Sequence, residues 1–241
     1  LVQRGYHEMI SYSFVNGAWH GKCFPELECI ELANPLSLEL AVMRRSLWPS
    51  LLQAAHYNQR HQRERLRFYE SGRVYLPQWD EQQQTAQQPL YLAGVAVGDY
   101  YPEQWSLAQP AAGVDFYFLK QDFEALLASL GQNTKALTYK RSDHSMLHPG
   151  QSAACYAGEI HLGTLGILHP QLAQQLELHG PVGLFEVFIE KIPAPLAPIY
   201  QAISRFPTVR RDFALLVPQN LAAAALEQAA RKILKEKLSQ F

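Results

Sequence analysis

Apolar positions recur along the chain with two different periods, and the switches between them outline a set of strands and helices. Glu8 to Val15 (EMISYSFV) is rich in aromatic and β-branched residues and predicts a strand, after which Asn16-Gly17 supplies a turn. Ile30 to Ala33 predicts a second short strand, closed by Asn34-Pro35 because the residue before a proline is pushed out of the helical region. Leu40 to Arg44 reads as extended. The period then changes. Ser46 is a good N-cap, Pro49 falls in a first turn where its missing N–H costs nothing, and Leu47, Leu51, Leu52 and Ala55 follow at helical spacing. Gln53, Asn58, Gln59 and Gln62 take the wetter side of this helix, which runs from near Leu47 to near Gln62.

Arg65 to Leu76 alternates charged and apolar residues as a return strand, with Gly72 marking a bulge or hairpin. Pro77 to Pro89, with its glutamine run, has no periodicity and reads as a loop. Leu90 to Val97 is a continuous apolar strand of the kind buried on both faces. Asp115 caps an amphipathic helix that presents Phe116, Leu119, Phe123, Leu127 and Leu130 and ends at Gly131. Leu137 to Lys140, Ser152 to Tyr156, Ile160 to Leu168 and Gly183 to Ile189 are strands, with a turn at Gly158-Glu159 and a short helix from Pro170. The body is therefore an α+β domain, a largely antiparallel sheet with a few helices laid against it.

IPAPLAP, from Ile192 to Pro198, has linker composition. Beyond it, an Arg-rich stretch leads into a predicted strand from Asp212 to Val217. A helix follows from Leu221 to Leu238, with Leu226, Ala229, Ala230, Ile233 and Leu234 toward a core. One strand and one helix cannot bury each other's apolar faces, so this is the start of a second domain, and the chain reads as a piece of something longer.

Composition narrows the class. A 241-residue chain with 48% hydrophobic and 18% charged residues is a folded protein with room for one large core. No apolar run approaches the roughly 18 residues that span a bilayer, and no signal peptide opens the chain, so the expectation is a cytoplasmic protein with no membrane partner. Cys23, Cys29 and Cys155 lack zinc spacing and read as reduced, packed thiols. The net charge of −1 hides an uneven distribution. Arg44 to Arg73 carries +5 and Ile199 to Phe241 carries +4, which leaves −10 on the rest: two basic regions on an acidic body.

NPLSLE, MRRSLWPSLL, the Asn58-Gln59 helix end, RFYESGRVY, HPGQSA from His148, LGTLGILHP from Leu162, FEV from Phe185 and ISRFPTVRRDFAL from Ile203 follow one another in a single order. In that order they resemble the β subunit of bacterial phenylalanyl-tRNA synthetase over nearly the whole chain, as a C-terminal fragment of it. The resemblance implies a catalytic-like module with the class II synthetase fold over residues 1–192, an antiparallel sheet flanked by helices. A Pro-rich linker over 193–199 and the incomplete N-terminal part of a ferredoxin-like anticodon-binding domain over 200–241 would follow. It implies an (αβ)₂ tetramer in which the α subunit binds ATP and phenylalanine and charges tRNA(Phe), with ATP and Mg expected for the holoenzyme and no cofactor in this fragment. Subunit packing would then fall to Arg44 and Arg45 and, in the following helix, to Leu47, Leu51 and Tyr57. Arg205, Arg210 and Arg211 would meet tRNA by phosphate contact or base stacking.

A class II active site needs one arginine for the ATP α-phosphate and another for the γ-phosphate, because bidentate guanidinium geometry suits those oxyanions. Arg67, Glu70 and Arg73 match the first requirement superficially. GLFEVFIEKIP offers nothing for the second, so the fragment is predicted to be non-catalytic although the holoenzyme is a ligase. Asp143, His144 and His148 are close in sequence, but no Cys or carboxylate cluster completes a metal site, and with His148 and His169 each before a proline the histidines read as hydrogen-bonded turn residues. The alternative function is a stand-alone RNA-binding or regulatory protein on a synthetase-like fold.

Overall fold

The computed structural model describes residues 1–82, 84–105, 113–195, 200, 207, 209–219 and 221–238. In chain order the elements are β1 (His7–Glu8), β2 (Phe14–Val15), α1 (Gly17–Cys23), β3 (Val42–Met43), α2 (Trp48–Arg60), β4 (Leu66–Arg73), β5 (Leu76–Asp80) and β6 (Thr85–Gln87). They continue with β7 (Leu90–Val97), α3 (Phe116–Ser129), β8 (Leu137–Arg141), β9 (Leu147–Ala157), β10 (Ile160–Leu168), α4 (Pro170–Gln175), β11 (Val182–Phe188) and α5 (Ala223–Leu234). Two compact units divide the chain, Leu1–Ala197 and Pro198–Phe241.

The first unit is built on a seven-stranded sheet ordered β1-β4-β7-β11-β10-β9-β8. Its neighbours are antiparallel except β1, which runs parallel to β4, so the sheet is mixed rather than wholly antiparallel. Strand alternation sends side chains to two separate cores. Ala93, Val95 and Val97 of β7 pack with Leu47, Trp48, Leu51 and Leu52 on one face. On the other, Ala96 of the same strand joins Leu119, Phe123 and Leu127 of α3.

The start of α2 explains how that helix is set. Ser46 sits just outside it, and its hydroxyl accepts the Trp48 N–H at 3.1 Å while donating to Glu186 Oε1 at 2.8 Å. The Leu47 N–H also donates to that oxygen, at 3.3 Å, and the Trp48 indole N–H donates to the Phe185 carbonyl at 2.9 Å. The backbone N–H groups at the helix start are thus satisfied by Ser46 and by Glu186 of the central strand β11, and with the indole bond this fixes the helix on the sheet. Asp115 caps α3 as its sequence indicates, accepting the Phe118 N–H at 2.8 Å.

Several expected elements differ. Glu8 to Val15 is two short strands, β1 and β2, because its middle leaves the sheet to bring Ser11 to Glu70. Asn16 is no turn residue but the cap of α1, its side chain accepting the Ala18 and Trp19 N–H groups. Ile30 to Ala33 contributes only an isolated bridge from Glu31 to Val42. Pro77 to Pro89 contains the β5–β6 hairpin, whose backbone ladder needs no side-chain alternation. Ladder pairing of β4 with β7 runs unbroken through Gly72. A Cβ there would meet the Arg44 guanidinium, so the glycine makes room for a crossing side chain rather than a bulge.

In the second unit α5 is present, but among the described residues Asp212 to Val217 pairs with no strand. Every residue of this unit whose exposure is described is exposed or half-buried. Leu226, Ala229, Ala230, Ile233 and Leu234 line a groove of about 740 Å³ with the Arg210–Leu215 segment instead of entering a core.

Candidate functional site

β4 carries the charges that resembled half a phosphate clamp, and its geometry pulls them apart. Residues three apart on a strand point to opposite faces, so Arg67 and Glu70 do not converge. Glu70 faces α2, where it forms a buried ion pair with Arg44 at 2.5 Å, both side chains 4% exposed. Ser11 Oγ donates to Glu70 Oε2 at 2.7 Å and accepts from Arg44 Nη1 at 3.0 Å, while Arg44 Nε donates to the Arg73 carbonyl at 2.9 Å.

Arg67 is sealed on the α3 side, donating to the Asp99 and Tyr100 carbonyls at 3.1 and 3.3 Å with its guanidinium over the Tyr6 and Tyr100 rings. Arg73 is exposed at the far end of the strand, roughly 20 Å away at the rise of an extended chain, where it faces Glu190 and the Gln88 carbonyl. Arg67 is thus committed to the fold, whereas Arg73 makes only surface contacts. After β11 the chain makes a short helical turn, Ile189–Lys191, in which Glu190 accepts the Leu90 N–H at 3.3 Å.

Burial corrects part of the expected interface. Leu47 and Leu51 are fully buried in the chain's own core, and Arg44 is buried against Glu70, so none of the three is available to a partner. Arg45 is half-buried and donates to the Glu28 carbonyl at 2.6 Å. Tyr57 is 62% exposed. With Tyr12 it lines a groove of about 410 Å³ between the 9–16 segment and the outer side of α2. Ile10, Leu36 and Leu38 are strongly exposed on neighbouring segments, an apolar feature that the residue pattern did not single out.

Glu186 is the buried group that sequence reading missed. Its signal was a lone carboxylate inside the apolar strand GLFEVF. Burial pushes its carboxyl up to about 7, against the opposing pull of the Ser46 and Leu47 hydrogen bonds. The histidines are structural. His144 is lowered to about 4 by burial, with its ring edge-on to Trp48 and Phe24. His148 Nδ1 accepts the Gly150 N–H at 3.0 Å, and His169 caps α4. Among the described residues no group of three His, Cys, Asp or Glu side chains could hold a metal ion.

Of the expected tRNA contacts, Arg210 and Arg211 are exposed. Arg210 pairs with Asp212 at 3.4 Å on open surface, a contact of small energetic weight. Arg205 lies outside the described residues. No helix among the described residues is long and apolar enough to cross a membrane.

Comparison with known proteins places this geometry in a family. Residues 1–189 match the family model described as the phenylalanyl tRNA synthetase beta chain CLM domain. A phenylalanine–tRNA ligase beta subunit from Pectobacterium atrosepticum is 41% identical over 233 residues, 97% of this chain and 29% of that protein. One from Coxiella burnetii is 40% identical over 228 residues, 95% of this chain and 28% of that protein. The chain thus spans well under a third of the length of these curated relatives. Among solved structures, the pyrrolysyl tRNA synthetase PylSc of Desulfitobacterium hafniense superposes with a TM-score of 0.58 at 15% identity, over 79% of this chain and 61% of that one, a likeness of fold. The sheet is therefore of the class II synthetase type, and the chain belongs to the phenylalanyl tRNA synthetase beta chain CLM domain family.

Proposed function

We propose that this chain is a non-catalytic module of a phenylalanine–tRNA ligase β subunit, and that it supports assembly with the α subunit into an (αβ)₂ enzyme charging tRNA(Phe). The observation that carries the reading is the fate of the β4 charges. Arg67 and Glu70 lie on opposite faces with folding partners, so the strand that would hold ATP in a class II catalyst holds its own neighbours instead. ATP and Mg belong, on this reading, to the α subunit. Docking falls to the outer side of α2, where Tyr57 and Tyr12 line a groove and Ile10, Leu36 and Leu38 stand in solvent nearby. Aromatic and aliphatic groups of this kind supply the desolvated centre of a subunit contact.

The test is co-purification with the α subunit, comparing this chain with its Tyr57→Ala/Tyr12→Ala variant. Loss of association on substitution is expected, while a variant that binds α as tightly as the unaltered chain overturns the docking surface. Pyrophosphate exchange by the isolated chain with phenylalanine and ATP should be absent, and measurable exchange would end the non-catalytic reading.

The 200–241 segment opens a ferredoxin-like tRNA-binding domain in this reading, supported by its charge of +4 and by the exposure of Arg210 and Arg211. Replacing Arg205, Arg210 and Arg211 with Ala in the whole ligase should lower the salt slope of tRNA binding by up to about 2, at roughly 0.7 per single-strand phosphate contact. An unchanged slope removes these residues from the interface.

A further inference from the structure

One large cavity takes no part in that reading. It occupies about 960 Å³ at one end of the sheet, between the last turn of α2, the start of β9, and the turn that leads from α4 into β11. Its floor is aliphatic, made by Val114, Ile167, Leu168, Leu178 and Val182, all buried. Around that floor stand His56, Arg60, His148 and His179, against the carboxylates of Asp115 and Glu177.

The two carboxylates differ, Glu177 standing exposed on the rim and Asp115 being engaged within the fold. Asp115 already accepts the Phe118 N–H at 2.8 Å as the cap of α3. Among the described residues no carboxylate lies within ion-pair distance of Arg60. His148 Nδ1 accepts the Gly150 N–H, which in the neutral ring places the proton on Nε2 and leaves a donor. The backbone of His179 is clamped by Gln59, whose side chain accepts its N–H at 3.0 Å and donates to its carbonyl at 2.8 Å, so that residue is held beside the helix end. His56 is half-buried beside the Trp19 ring, and its Nδ1 is buried with no hydrogen-bond partner among the described residues.

An unpaired guanidinium with the His148 and His179 imidazoles above an aliphatic floor forms a site for an anion carried on a flat apolar body. Imidazole and guanidinium planes also stack on heterocyclic bases. We propose that this cavity binds a nucleotide, with the phosphate on Arg60, His148 and His179 and the base over the aliphatic floor. The source is either a free nucleotide or the phosphorylated end of a single RNA strand. HPGQSA and LGTLGILHP contribute His148, Gln151, Ile167, Leu168 and Pro170 to its wall. The inference stands apart from the assembly reading, since none of these residues lines the Tyr57–Tyr12 groove.

Titration calorimetry on the 241-residue chain with AMP, inorganic phosphate and adenosine tests it. AMP should bind more tightly than either part alone, and Arg60→Ala and His179→Ala should each weaken it about tenfold or more, as loss of a charged hydrogen bond does. Arg73→Ala, at the opposite end of β4, should leave the affinity unchanged. Because His148→Ala removes the Gly150 contact, its role is read on the unaltered protein, from the shift of the His148 ring resonance on adding AMP. A 5′-phosphorylated RNA oligonucleotide that displaces AMP assigns the cavity to a strand end, and one that leaves AMP bound assigns it to a free nucleotide. No binding at millimolar AMP, phosphate or adenosine binding as tightly as AMP, or affinity that survives both the Arg60 and His179 substitutions overturns the proposal.

Discussion

Replacing Glu70 with Ala while leaving Arg44 in place strands a guanidinium in the core. Both partners are 4% exposed at a separation of 2.5 Å, so the pair is desolvated and water cannot replace the lost carboxylate. Removing one member of such a pair costs about 3–5 kcal/mol. Arg44 keeps two further acceptors, the Arg73 carbonyl at 2.9 Å and Ser11 Oγ at 3.0 Å, which favours the lower end, about 3 kcal/mol. At roughly 2–4 °C per kcal/mol for a domain of this size, the melting temperature should fall by about 6–12 °C. Urea unfolding followed by tryptophan fluorescence, with fully buried Trp48 as a reporter, should show a lower midpoint at an unchanged m-value. Glu70→Leu/Arg44→Met, which removes both charges, should recover most of the loss. A single-variant cost below about 1 kcal/mol, the range of exposed pairs, would refute the assignment. So would a double variant less stable than the sum of its parts.

Glu186 sets a pH dependence of the opposite sense to the buried histidines. Its folded value of about 7 lies above the unfolded glutamate value near ~4.3, so its contribution is present below the unfolded value and is lost as pH rises through about 7. Glu186→Gln keeps an acceptor for Ser46 and Leu47 and should gain up to about 3 kcal/mol relative to the unaltered chain between about pH 4 and pH 8; parallel stability curves would contradict this. His144, lowered to about 4, loses its contribution as pH falls from the unfolded value near ~6.5. His144→Phe, which preserves the ring contacts with Trp48 and Phe24, should therefore flatten the acid limb of a urea-midpoint profile. Gly94 faces the fully buried Phe185 ring with no room for a Cβ, so Gly94→Ala should cost about 1–3 kcal/mol of overpacking. Gly94→Ala/Phe185→Leu should recover part of it, and an unchanged melting temperature in the single variant would show that the ring can move aside.

The elements legible in the sequence are those whose side chains report one environment along their length. β7 occupies Leu90–Val97 as the unbroken apolar run indicates, and α3 starts after the Asp115 cap. The hydrophobic spacing of Leu47, Leu51, Leu52 and Ala55 marks the buried side of α2. Local chemistry suffices there, because caps, periodicity and proline act within a few residues. The same positions show where it stops. Helical spacing says that Leu47 and Leu51 are apolar and aligned, but whether an apolar stripe meets its own sheet or a partner depends on what the chain folds against it, and here it is the sheet.

Charge is less legible than hydrophobicity for the same reason. Arg67, Glu70 and Arg73 lie close together on β4, yet strand alternation separates the first two by face, and their partners Asp99, Tyr100 and Arg44 come from distant segments. Gly72 looks like a defect until Arg44 crosses it, and Glu186 looks misplaced until Ser46 and Leu47 reach it from the start of α2. By itself the sequence determined the class of fold, the main strands and helices and, through ordered motifs, the family. Only the tertiary structure decided which arginines are structural, which face of α2 is free and that His56, Arg60, His148 and His179 gather round one cavity. A charge or donor takes its role from the groups that surround it, and those arrive from across the chain when it folds.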